Sequence, residues 1–315
     1  MIRRPPRSTP SNSSAASDVY KRQMKAQGRQ LLDELKQHPE RNAMVLFGRS
    51  YNAFSPYANK GIPYKFASRG IAIIPYDFLL YESIPNWKNQ YWEVGQRLVR
   101  AAQLVRDHPQ LFGVYMTNFI CAPDSMVIQH FRDIMGRKPS LTLEIDEHTA
   151  DAGINTRIDA VLDIINNYQQ IQKTVSSGHD MEDSFRPAQV VMKDLKIRYL
   201  DSDGELVKLT DPSVKVIIPA MSRLAAQGMA SVFKSLGTNA EALPDFDTEA
   251  FRLAMTYHTG KECIPLIILS GHLMHYMKYR KNPDERLAYF VVGSGGNCRV
   301  GQYNIFLKRL IEKKR

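Results

Sequence analysis

The sequence predicts an α/β fold made of two Rossmann-like, doubly wound domains that face each other across a cleft. Short apolar runs, such as residues 43–47 and 71–75, alternate with amphipathic segments of helical spacing. Gly, Asn and Pro follow several of these runs and indicate turns. Apolar strands that alternate with helices form parallel βαβ units, whose sheets are covered on both faces.

The first α/β domain is predicted over residues 24–174. Its expected strands are residues 43–47, 71–75, 111–119 and 141–145, and its expected helices are residues 24–40, 59–69, 87–107, 125–135 and 156–174. Residues 1–23 precede it, are rich in Ser, Pro and Arg, and show no periodicity. They resemble a translated sequencing-adapter tail, so we expect a disordered, artefactual segment and a natural protein that continues upstream.

Residues 175–212 are polar and break the α/β pattern, which predicts an insertion or linker with a hairpin at residues 201–204. A second α/β domain is predicted over residues 213–315. Its expected strands are residues 214–218 and 287–292, and its expected helices are residues 222–236 and 303–315. Because two strands make a small sheet, we expect this domain to be incomplete at its carboxyl end.

Composition narrows the class of function. The net charge is +10, but residues 1–23 and 308–315 each carry +4, so the intervening body carries only +2. That distribution argues against a nucleic-acid surface. No apolar run approaches the roughly 20 residues that span a bilayer. Three cysteines without a secretory signal indicate the reducing cytoplasm rather than a disulfide scaffold.

The three cysteines, Cys121, Cys263 and Cys298, are all flanked by loop-forming residues. Cys121 and Cys298 follow predicted strands, and ligands of open α/β sheets bind beyond the carboxyl ends of strands. From the residues alone, a shared metal site and separate packing roles remain equally open. Thiolates suit zinc, copper(I) and iron–sulfur centres, and the cysteine spacing does not choose between them.

Other polar residues could assist such a site. Glu147 and His148 belong to an acidic patch after the fourth predicted strand, where they would hydrogen-bond to a metal ligand or transfer protons. The alternative is helix capping in a solvated loop. Arg299 would stabilise the Cys298 thiolate or lie on the surface. His272 and His275 lie one helical turn apart without a third ligand, which favours ordinary polar helix positions.

Several motifs resemble the large activase-related proteins of the 2-hydroxyacyl-CoA dehydratase group. The resemblance runs from about residue 42 to 310 and is carried by VLFGRSYN (45–52), NKGIP (59–63), IPYD (74–77), TNF (117–119), CAPDS (121–125), LEIDEHTADAG (143–153), GKECIP (260–265) and CRVGQY (298–303). The sequence departs from the group at Ile120 and Ala122, where glycine is frequent, and at Asn297, where proline is frequent.

The resemblance implies a [4Fe–4S] cluster held by Cys121, Cys263 and Cys298, although some relatives carry a double-cubane cluster. It implies a partner, an ATP-dependent activase region, which lies upstream in the same chain or in a separate subunit. ATP would bind only that region, which is absent from this sequence. Dehydratase members use the electron to reduce an acyl-CoA, so an acyl-CoA substrate is expected, and a homodimer is allowed.

The activity class stays open between a dehydratase-like lyase and an ATP-dependent electron-transfer activase. In either class the chain would take a low-potential electron and pass it to a substrate. The alternative from a different class is a non-redox binding or interaction module, in which the cysteines are structural or bind zinc.

Overall fold

The carboxyl edges of two small parallel sheets position most of the candidate residues. The computed structural model describes residues 10–87, 90–118, 122–174, 188–193, 196–296 and 298–312. The chain forms two compact units, residues 1–177 and 178–315. Among the helices in these described ranges, none combines the length and hydropathy that crossing a bilayer requires.

The first unit contains four strands and six helices within its described residues. The strands are β1 (Ala43–Gly48), β2 (Ala72–Pro75), β3 (Leu111–Thr117) and β4 (Ser140–Glu144). The helices are α1 (Pro10–Gln37), α2 (Ser50–Ala53), α3 (Ile62–Ala67), α4 (Glu93–Asp107), α5 (Ala122–Met135) and α6 (Asp151–Thr174). All strand pairs are parallel, in the order β2-β1-β3-β4.

This sheet is covered on both faces, as the apolar strands predicted. Successive residues of β1 point to opposite sides. Val45 and Phe47 pack with α1, α4 and α5, whereas Met44 and Leu46 pack with α3 and α6. The predicted α/β class is confirmed, and the first unit is doubly wound.

Helix α1 corrects the sequence-based prediction for the amino-terminal segment. Residues 1–23 were expected to be disordered, but the helix begins at Pro10. The sequence has no glycine or proline between residues 11 and 27. A helix that is already formed at residues 24–37 can therefore extend toward the amino terminus, because each added residue gains a hydrogen bond without a new nucleation step.

Gln110 joins the end of α1 to the start of β3. Its Nε2 lies 2.7 Å from the Leu35 carbonyl oxygen and 2.9 Å from those of His38 and Arg41. The residue is buried, so no solvent would replace these bonds.

We therefore expect Gln110→Ala to lower the free energy of unfolding by about 2 kcal/mol, because buried carbonyl groups lose their donor. Chemical denaturation followed by tryptophan fluorescence would measure this, since Trp87 and Trp92 lie in the same unit. The same change at exposed Gln172 is the control and should have little effect. Equal stability of the two variants would contradict the assigned role.

The second unit contains a parallel sheet and an antiparallel sheet. Its strands are β5 (Gln189–Lys193), β6 (Lys196–Leu200), β7 (Leu206–Lys208), β8 (Val214–Ile218), β9 (Asn239–Ala242) and β10 (Arg286–Tyr289). Its helices are α7 (Arg223–Ser235), α8 (Thr248–Met255), α9 (Ile264–Tyr279) and α10 (Tyr303–Glu312). The parallel sheet has the order β10-β8-β9 and the antiparallel sheet the order β5-β6-β7.

An antiparallel sheet occupies the described part of residues 175–212, the segment predicted as an insertion or linker with a hairpin. Where that segment is described, it forms β5, β6 and β7, and the hairpin predicted at residues 201–204 is present between β6 and β7. Tyr199 packs into the core beneath β8, and Arg286 of β10 donates to Asp201 at 2.8 Å. These contacts make the segment part of the second unit.

Candidate functional site

Two of the three predicted cysteines lie in the second unit. Cys263 directly precedes α9, and Cys298 directly precedes a short 3₁₀ helix, Arg299–Gln302, that continues into α10. Cys121 lies outside the described residues, between the end of β3 and α5 in the sequence. Of the predicted ligand set, the structure therefore describes only Cys263 and Cys298.

Cys263 occupies the amino-terminal cap of α9. Its backbone is extended, with φ −70° and ψ 145°, and its carbonyl oxygen accepts from the amide of Leu266 at 2.9 Å. Pro265, in the first turn, fits a helix start because its missing N–H would have no helical partner there. The positive end of a 16-residue helix favours an anionic sulfur at this position.

Tyr303 links the two cysteines. Its hydroxyl contacts the Sγ of Cys263, while the residue is only 5% exposed. Burial raises the pKa of Tyr303, and the hydrogen bond to Cys263 and the negative charge of Cys263 and Cys298 raise it further, whereas Arg299 opposes them. Tyr303 therefore contacts the Cys263 sulfur directly, whereas Cys298 affects the tyrosine only through its charge.

Arg299 ties the Cys298 loop to the turn before Cys263. Its Nη1 donates to the carbonyl oxygen of Lys261 at 3.3 Å, and the side chain is half-buried. The guanidinium group thus lies between the two cysteine segments. This position fits the predicted role of Arg299 in stabilising negative charge near Cys298, a role that remains a prediction.

Glu262 holds the turn that presents Cys263. Its carboxylate accepts from the amides of Thr259 and Lys261, both at 3.1 Å, and from the Thr259 hydroxyl at 2.9 Å. His258 Nδ1 lies 3.5 Å from the same carboxylate, and both side chains are almost fully buried. Burial raises the pKa of Glu262, but the contacts with His258, Thr259 and its own backbone outweigh it and set the pKa to about 2.

The network continues to the helix that carries Tyr303. The His258 ring stacks on Phe306 of α10, with ring centroids 4.8 Å apart. Glu262 therefore stabilises the turn before Cys263. Through His258, which stacks on Phe306, it also stabilises the position of α10. His258, Glu262 and Tyr303 were not among the site residues predicted from the sequence, although Glu262 adjoins Cys263 and Tyr303 ends the CRVGQY motif.

Glu147 and His148 lie in a solvated turn after β4. Their side chains are 86% and 83% exposed, and His148 Nε2 lies 3.2 Å from Glu147 Oε1. Asp146 accepts from the His148 amide at 3.0 Å and from the Thr149 hydroxyl at 2.6 Å. These bonds close a local turn ahead of α6, which is the solvated loop of the alternative interpretation, and a role for Glu147 or His148 at a metal site stays a prediction.

A cavity of about 440 Å³ lies elsewhere in the second unit, beside β9 and α9. His275 lines it, and so does His272, which is 4% exposed; both histidines lie on α9, in the helix positions that the sequence favoured. Burial, together with the charge of His275, lowers the pKa of His272. Lys215 in this cavity forms ion pairs with Glu241 at 2.6 Å and with Glu285 at 3.5 Å. Because these charges offset each other, the cavity favours neither an anionic nor a cationic ligand.

Within the ranges that the structure describes, no group of three or more His, Cys, Asp or Glu side chains is arranged to hold a metal ion. Cys263 and Cys298 lie within those ranges, and Cys121 falls outside them. A three-thiolate site therefore depends on a residue whose position is not described.

Residues 9–79 match the family model of a CoA enzyme activase uncharacterised domain. The chain thus carries an activase-related domain over this stretch, and the predicted relationship is confirmed there. The match begins within the segment that the sequence analysis assigned to an artefactual tail. Neither the curated proteins nor the solved structures contain a significant match to the chain.

Proposed function

We propose that this chain, with its CoA enzyme activase-related domain, is the iron–sulfur component of a 2-hydroxyacyl-CoA dehydratase or activase-type system. It takes a low-potential electron from an ATP-dependent activase and passes it to a substrate, for which an acyl-CoA is the expected class. Cys121, Cys263 and Cys298 hold the cluster. A [4Fe–4S] cluster bound there would supply a one-electron centre with one iron free of protein ligands.

The observations that carry this proposal are the contact of Cys263 with Tyr303 and the bond from Arg299, the neighbour of Cys298, to Lys261 in the turn before Cys263. These contacts join the two cysteine segments, which are far apart in the sequence. Cys263 also precedes the 16-residue helix α9, whose amino-terminal end favours negative charge. A pair of thiolates in such surroundings fits a soft metal centre.

Sheet topology supports adding Cys121 to the set. In the first unit the connection from β1 leads first to β2 on one side and later to β3 on the other, so the strand order reverses between β1 and β3. The second unit repeats this reversal between β8 and β10. Ligands of open α/β sheets bind beyond the carboxyl ends of strands at such a switch point.

Cys121 and Cys298 follow the equivalent strands of the two units. Cys121 comes four positions after the end of β3, and Cys298 comes nine positions after the end of β10. Each cysteine thus belongs to the loop in which a doubly wound sheet places its ligand. This shared topological position supports a common role for the two residues.

Anaerobic purification of the full chain, followed by reconstitution with ferrous iron and sulfide, tests the proposal. We expect about four iron and four sulfide per chain, broad visible absorption, and a paramagnetic signal after reduction. Reconstitution of the heat-denatured chain controls for nonspecific iron. Stoichiometric zinc without iron would contradict the redox function and support the zinc-binding module instead.

A further inference from the structure

We infer that Tyr303 is a positioning residue that donates a hydrogen bond to the Cys263 sulfur and thereby raises the reduction potential of the centre built on that sulfur. The inference rests in part on the proposed function, because it concerns the behaviour of the proposed cluster. The hydrogen bond itself concerns only this chain and can be tested without metal.

The donor is fixed by the chemistry of the sulfur. In a neutral thiol–phenol pair, either group could donate its proton. A cysteine that ligates iron has lost its proton, so the Tyr303 hydroxyl must then be the donor. Tyr303 is almost fully buried and Cys263 is half-buried, so the hydroxyl is shielded from water although the sulfur is only partly shielded. The bond to a thiolate is charge-assisted, which is the stronger kind.

The position of Tyr303 is held from several sides. It is the first residue of α10, and Phe306, one turn later, stacks on His258. Arg299, one turn earlier, is anchored to Lys261 on the Cys263 turn. Since both ends are fixed to the Cys263 segment, loss of the hydroxyl should remove the hydrogen bond without moving the ring.

The direction of the effect follows from charge. Reduction adds an electron to the centre and makes its sulfur ligands more negative, so a hydrogen-bond donor stabilises the reduced state more than the oxidised state. Removing the donor should lower the midpoint potential. We expect about a tenfold shift in the ratio of reduced to oxidised centre at fixed potential, which is ~59 mV for one electron.

Tyr303→Phe is the test variant, and Tyr289→Phe is its matched control. Tyr289 is a half-buried tyrosine of the same unit, but its hydroxyl donates to the Leu269 carbonyl oxygen at 2.8 Å rather than to sulfur. The first measurement uses metal-free protein at alkaline pH, where thiols are ionised. Iodoacetamide labelling of Cys263 and Cys298 is followed by peptide mass spectrometry.

We expect Tyr303→Phe to speed labelling of Cys263 roughly tenfold, because a thiolate freed from a charge-assisted hydrogen bond is the better nucleophile. Tyr289→Phe should leave the rate unchanged. Equal Cys263 rates in wild type and Tyr303→Phe would overturn the hydrogen bond and with it the inference.

The second measurement is a redox titration of the reconstituted proteins, followed by absorption and electron paramagnetic resonance. A more negative midpoint in Tyr303→Phe alone supports the inference, and an unchanged midpoint overturns its redox part. If wild type binds no iron, the proposed function fails, and the labelling rates still decide whether Tyr303 controls the Cys263 sulfur.

Discussion

Replacing Cys263 or Cys298 with serine is expected to remove most of the iron from the reconstituted chain. A serine hydroxyl is a harder ligand and stays protonated at neutral pH, so it does not substitute for a thiolate on iron. We expect iron content to fall at least about tenfold, in line with the loss of one of three protein ligands to a cluster. Iron and sulfide analysis after desalting, together with visible absorption, gives the result.

A neighbouring substitution separates ligand loss from disturbance of the helix start. Ile264 is the first residue of α9, and it is 60% exposed. Ile264→Ala changes the residue beside Cys263 without changing a sulfur, so it should keep its full iron content. An iron content equal to that of wild type in both serine variants would contradict the assignment of these cysteines as ligands.

The Cys121→Ser variant tests whether the first unit contributes a ligand, because Cys121 belongs to the first unit and the other two cysteines to the second. Loss of iron from this variant would support a ligand set drawn from both units. Retention of iron in Cys121→Ser, with loss in the other two variants, would confine the site to the second unit. The equivalent topological positions of Cys121 and Cys298 would then reflect a shared fold without a shared role.

The strands with continuous apolar sequences were the predictable part of the fold. The runs at residues 43–47 and 214–218 gave β1 and β8 nearly to their ends, because a buried parallel strand needs apolar residues on both faces. Strand β9, with the sequence NAEA, was missed because it has no apolar run. Helix α9 was given no bounds from the sequence, since it is apolar almost all round and shows no amphipathic period.

The turns around the candidate cysteines were predictable from the sequence, but the contacts of those cysteines were not. Glycine and proline around Cys263 and Cys298 indicated turns, and local sequence is sufficient for that inference. The contact between Cys263 and Tyr303 joins residues 40 positions apart, so it depends on how α9 and α10 pack. The bracing of the turn by Glu262 and His258 depends on burial, which a hydrophilic stretch of sequence does not reveal.

Glu262→Gln is expected to lower the free energy of unfolding by about 3 kcal/mol at neutral pH. The folded protein lowers the pKa of Glu262 from 4.5 to about 2, and a tenfold change in an acid dissociation constant corresponds to about 1.4 kcal/mol. Glutamine keeps the shape, but its neutral amide is a weaker acceptor and directs an NH₂ group at backbone amides that need an acceptor. Leaving those buried donors unsatisfied adds to the cost.

The pH dependence distinguishes this charge effect from a simple loss of packing. Because the folded pKa lies below the unfolded value, the stabilisation by Glu262 is fully present above pH 4.5 and is lost as pH falls toward 2. The difference in stability between wild type and Glu262→Gln should therefore shrink across this window. A packing defect would give the same difference at every pH.

Chemical denaturation followed by circular dichroism measures this difference, since both tryptophans lie in the first unit and would miss the second. The control is Asp284→Asn, the same acid-to-amide change at an exposed position of the second unit. It should change stability by less than about 0.5 kcal/mol at any pH. If Glu262→Gln is as stable as this control at neutral pH, the buried carboxylate does not hold the Cys263 turn, and the turn must keep its shape through α9 alone.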